Sequence, residues 1–99
     1  MTKIKKYVEH IDEELSGAKD YAEHYVEAKA RGNSALATKY KEMAQDELKH
    51  ATYIHDIAVT EIDELKKVFT PPAKMQKAWD ESHVEYVEKA AWIKQMLAM

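Results

Sequence analysis

A glutamate and a histidine three residues apart, in Glu47-Leu48-Lys49-His50, are the pair in this chain best spaced for shared chemistry. On a helix such residues lie on one face about one turn apart, so a carboxylate and an imidazole can reach the same cation. The spacing is common in a chain rich in Glu with five His. Its meaning therefore depends on the element that carries it and on what that element faces.

Composition narrows the setting. A 99-residue chain that is 45 % hydrophobic and 33 % charged is one globular domain with a modest core. Two Gly and two Pro leave few places to turn, so the elements between them must be long. The absence of Cys excludes disulfides, iron–sulfur clusters, thiolate zinc sites and cysteine nucleophiles, and fits a reducing cytoplasm, the expected location. The start, Met1-Thr2-Lys3-Ile4-Lys5-Lys6, has no apolar run behind it, so no signal peptide is expected. No stretch of 18 apolar residues is present to span a membrane. A net charge of −3 argues against a nucleic-acid partner. Neither a Gly-rich phosphate loop nor a Gly-x-Ser-x-Gly nucleophile signature occurs.

The apolar pattern predicts three helices. Ile4, Tyr7/Val8, Ile11, Leu15, Ala18, Tyr21/Ala22 and Tyr25/Val26 recur at helical spacing from about Thr2 to Arg31. Gly32 suits a helix C-terminus, and Asn33 or Ser34 a following N-cap. The second helix is expected from Ser34 to about Phe69, with Leu36, Tyr40, Met43/Ala44, Glu47, His50/Ala51, Ile54, Ala58, Glu61/Ile62, Leu65 and Phe69 on its stripe. Thr70-Pro71-Pro72 breaks it, with Thr70 as cap and Pro71 at the first helical position. The third helix is expected from Pro72 to about residue 98, with Met75, Trp79, His83, Tyr86, Ala90, Ile93 and Leu97 inward. Short connections imply an all-α, up-down-up arrangement: a long antiparallel hairpin plus a third helix. Trp92, Met96 and Met99 form a second apolar strip on the last helix, which points to an oligomer or to a protein partner there.

Folding the hairpin about Gly32–Asn33 brings Glu14 to the level of Ala51, within a turn of both Glu47 and His50. All three lie on inward faces, Glu14 between Ile11 and Ala18, Glu47 and His50 between Met43 and Ile54. Two carboxylates buried together are expensive unless one is protonated or a cation lies between them. Gly17, which costs about 1 kcal/mol relative to Ala in a helix interior, is either simply tolerated or lets another helix approach closely beside Glu14. The alternative is that Glu14 and Glu47 sit at the stripe edge, reach water and pair with Lys19 and Lys49.

Asp80 and His83 repeat the three-residue spacing and form a second candidate ligand pair. A turn centred on Pro71–Pro72 sets them opposite residues 60–63, roughly 15 Å from His50, with Glu61 placed to pair with His83. His10, His55 and Glu88 fall near one level and read as surface or supporting groups, and His24 as exposed. Tyr7, Tyr21, Tyr40 and Tyr53 read as core, where a phenol can donate to a ligating carboxylate.

With Glu14 on one long helix and Glu47-x-x-His50 on its antiparallel neighbour, the sequence resembles the ferritin-like superfamily. It is most similar to the small members that supply half a bundle per chain, such as encapsulated ferritins and short bacterial and phage ferritin-like proteins. The resemblance covers residues 1–69, and the long third helix sets the chain apart from encapsulated ferritins. What it implies is a homodimer or higher oligomer whose two-fold axis completes a carboxylate-bridged di-iron or di-manganese centre. Glu47 would bridge, with Glu14 and His50 as terminal ligands, and the activity implied is of ferroxidase or peroxidase type. Carboxylates with one imidazole per ion suit Fe and Mn, with Zn as a further option. The alternative from another class is a metal-free structural or interaction module.

Overall fold

The computed structural model describes residues 2–99, which form three α-helices and no strand: α1 (Thr2–Ala30), α2 (Ser34–Lys66) and α3 (Ala73–Leu97). They lie side by side in a rod of 55 × 18 × 17 Å. α1 and α2 are antiparallel, as the Lys3–Glu61 ion pair near one end and the Tyr21–Tyr40 ring contact near the other require. α3 runs back along α1, and the Lys29 ammonium donates to the Met99 carbonyl oxygen where the two helices finish. The up-down-up order follows. None of these helices is long and apolar enough to cross a membrane.

The first turn is tight because its residues each do a specific job. Gly32 takes φ = 76°, a left-handed conformation that suits a residue without Cβ. The Gly32 and Asn33 amides then return to the Lys29 and Ala28 carbonyls at 3.0 and 2.9 Å, which satisfies the last acceptors of α1. The Asn33 side chain accepts from the Leu36 amide at 3.2 Å and caps α2.

The core between α1 and α2 is built on small residues. Ala37, Ala44, Ala51 and Ala58 recur every seven positions along α2 and are buried, facing a stripe on α1 that includes Ile11, Leu15, Ala18, Ala22 and Ala28. Short side chains on such a seam let two helix backbones come close. Ile11, Leu15 and Ile93 are the largest side chains wholly withdrawn from water, each worth about 1.5–3 kcal/mol of burial.

The second connection departs from the expected one. α2 stops at Lys66, not near Phe69, and the Lys67, Val68 and Phe69 amides close a turn on Glu64 and Leu65. Val68 is 78 % exposed, so its apolar character does not extend the stripe. Thr70 is no cap and Pro71 no first helical residue. Each precedes a proline, which drives both toward extended backbone, and Pro72 (φ −55°, ψ 141°) is the residue that opens α3, without a side-chain cap bond. The pivot is thus the middle of a six-residue linker instead of the Pro pair.

That shift moves α3 by about five residues, roughly 7 Å, relative to α2. His83 meets His55, whose Nε2 lies 2.8 Å from His83 Nδ1, and Glu61 pairs with Lys3 at 2.9 Å instead of with His83. The His55 ring is also stacked between α3 aromatics, 4.3 Å from Tyr86 and 5.6 Å from Trp79, while the Tyr86 and Thr52 hydroxyls bond at 2.9 Å. Tyr53, expected in the core, is 59 % exposed. His24 is exposed as expected and stacks on Tyr40.

Burial, helped by the neighbouring His83 and opposed by Asp56, holds the His55 imidazole below the ordinary His range. A base whose pKa is lower folded than unfolded stabilises the fold above the unfolded value, near 6.5, and loses that contribution as pH falls through the folded value. The melting temperature should therefore fall on acidification below about pH 6.5, and the fall should be shallower in His55→Leu, as read from thermal melts of both proteins across pH 5–8.

Candidate metal centre

The alanine seam determines what meets across the hairpin. Glu14 leaves α1 next to Leu15 and Ala18, and Glu47 and His50 leave α2 on either side of Leu48 and before Ala51. One donor atom from each of Glu14, Glu47 and His50 can be chosen so that all lie within 4.8 Å of one another. His50 Nδ1 is 3.5 Å from Glu14 Oε2, and His10 Nε2 is 3.2 Å from Glu14 Oε1.

Gly17 explains how Glu47 fits. A Cβ built at Gly17 would stand 3.1 Å from Glu47 Oε2, closer than ordinary contact. The bare backbone there makes room for the carboxyl of the other helix.

The two carboxyl groups behave as a pair. Glu14 is held below the usual carboxylate range, first by a hydrogen bond from Glu47 and then by His10 and His50. Glu47 is pushed up by the same bond, by burial and by the charge of Glu14. The opposite shifts of these neighbouring carboxyls follow from two like charges brought close together. A cation between them would relieve that repulsion. The donors are oxygen-rich with one imidazole, the half-buried carboxyls face a half-exposed His50, and that set fits a hard to borderline divalent ion such as Mn(II), Fe(II) or Zn(II).

The group opens on the flank of the hairpin away from α3. α3 reaches α2 through Thr52 and His55, whereas Glu47 and His50 point to the other side of the Ala51 stripe. Along this flank run Tyr7, His10, Glu14, Gly17, Tyr21 and His24 from α1. Tyr40, Met43, Glu47, His50, Ile54 and Ile57 answer from α2. Met43 and Ile57 are 41 % and 46 % exposed, so a half-covered apolar surface surrounds the polar group.

Other expected ligands lie elsewhere. Asp80 accepts from Gln76 at 2.8 Å on the surface, and His83 is engaged with His55; neither joins the Glu14–Glu47–His50 group. Glu88 lines a groove between α1 and α3 beside Trp92. His10, expected as a surface or supporting group, reaches Glu14 from the same helix. Its spacing of four residues from Glu14, one helical turn, was the available signal. No protein-family model, curated protein or solved structure matches the chain.

Gly17→Ala separates packing from binding. The substitution improves helix propensity by about 1 kcal/mol but presses on the Glu47 carboxyl. The metal-free protein should melt at an equal or higher temperature while its affinity for Mn(II) drops severalfold, measured by calorimetric titration.

Proposed function

We propose that this chain is a metal-binding protein of ferritin-like type. Glu14, Glu47 and His50 are its ligands for iron or manganese, and a second copy covers the open flank. The observation that carries the reading is the convergence of two carboxyl groups from different helices and one imidazole, a donor atom of each lying within 4.8 Å of the others. Nothing in the hairpin's packing requires those carboxyls to meet, and a cation gives the meeting a purpose. The half-exposed apolar residues around the group support a two-fold homodimer, in which one set of ligands would face another across the axis.

Bound there, Fe or Mn supplies one-electron chemistry with oxygen or peroxide, the basis of the ferroxidase- or peroxidase-type activity proposed. The chain's own residues do four things. Glu14 would supply one carboxylate donor, Glu47 would supply a second, His50 would add a nitrogen donor, and Tyr21, Tyr40 and Met43 would shield the flank from water once it is covered. Because ligands must be deprotonated to bind, and Glu47 is pushed above the usual carboxylate range, affinity should weaken as pH falls.

A second reading rests on a different observation. Trp92 is 56 % exposed at the mouth of the groove between α1 and α3, which suits an interaction module with a protein partner at α3.

Protein purified without chelator tests the two. The metal reading predicts bound Fe or Mn, a dimeric or larger mass in solution, and oxidation of added Fe(II) seen in the near ultraviolet. At metal concentrations about a hundredfold above Kd, binding should stabilise the fold by about 2.7 kcal/mol, several degrees in melting temperature. Glu47→Ala and His50→Ala should abolish both the metal and that shift. A protein that takes up no Fe(II), Mn(II) or Zn(II), with variants as stable as the parent, overturns the reading.

A further inference from the structure

We propose that Glu14 bridges two cations within a single chain, one on the Glu47–His50 side and a second held by His10. The inference rests on the metal-binding reading above and deepens it. It assigns a ligand, a stoichiometry and a bridging role different from those the family resemblance implies, in which Glu47 would bridge and Glu14 would be terminal.

The geometry at one carboxylate carries it. Each Glu14 oxygen faces a different imidazole nitrogen: Oε1 is 3.2 Å from His10 Nε2, and Oε2 is 3.5 Å from His50 Nδ1. Adjacent ligands on one ion, with bonds of about 2.0–2.2 Å, stand roughly 3.0–3.6 Å apart. Both oxygen–nitrogen gaps fall in that range, on separate oxygens. A carboxylate with a separate nitrogen donor at each oxygen is disposed to bridge two ions instead of chelating one. The Glu47 carboxyl belongs with His50 in the three-residue group, so it is the terminal ligand of the first ion. His10 is 48 % exposed at its side chain, which leaves water free to fill the second ion's remaining positions. Mn(II) and Fe(II), oxygen-loving ions that accept such mixed shells, are the class that fits.

The test uses the full chain and Mn(II) alone. Equilibrium dialysis at saturating Mn(II) should find two ions per chain, with an electron paramagnetic resonance spectrum showing the broadening of a spin-coupled pair. His10→Ala removes an exposed side chain, and the metal-free variant should melt like the parent. It should bind one ion per chain, with the six-line spectrum of isolated Mn(II). Parent and variant each binding one ion per chain with identical spectra would overturn the bridging role while leaving Glu14, Glu47 and His50 as a metal site. No Mn(II) uptake by either protein would overturn both the bridge and the site beneath it.

Discussion

The separation of α1 and α2 controls everything the hairpin does, and four alanines set it. Ala37, Ala44, Ala51 and Ala58, buried every second turn of α2, present only a methyl group to α1. Larger side chains at these positions would push the helices apart. Glu14 and Glu47, flanking the seam from opposite helices, would then no longer converge. Gly17 continues the logic on α1, where the missing Cβ leaves space for the Glu47 carboxyl. Small residues thus convert two ordinary surface-type side chains into a coupled pair.

The pair gives the bundle two unlike sides. On one, α3 covers α2 with Trp79, His83 and Tyr86, and the buried His55 is satisfied by ring stacking and a nitrogen–nitrogen hydrogen bond. On the other, acidic and imidazole groups sit half-covered among Tyr21, Tyr40, Met43 and Ile57. On the first side His55 Nε2 has its partner in His83, and Nδ1 lies 3.6 Å from an Asp56 carboxylate oxygen. The second brings two carboxyls and an imidazole together inside a half-exposed apolar border.

Much of this was legible in the residues because the first turn is short and tightly specified. Gly32 and Asn33 leave almost no freedom in where the hairpin folds, so counting outward from them placed Glu14 beside Glu47 and His50 correctly. The second turn was not legible in the same way. Val68 and Phe69 prolong the apolar pattern of α2, yet the helix ends before them, and the constraint each proline imposes on its predecessor shifts the start of α3. An error of a few residues in that pivot moved His83 away from its real partner, His55, and paired Glu61 with the wrong side chain. Periodicity reveals which face is buried, and it says little about the sliding of one helix along another. His10 was obscured for another reason. It lies off the apolar stripe, and only the direction of the Glu14 carboxylate shows that it matters.

The central claim is that the Glu14–Glu47–His50 group is built to hold a cation. Crystals grown with Mn(II), measured with X-rays tuned to the manganese absorption edge, test it most directly. An anomalous peak within bonding distance of all three side chains is the predicted result. Crystals saturated with Mn(II) that show no peak there would contradict it.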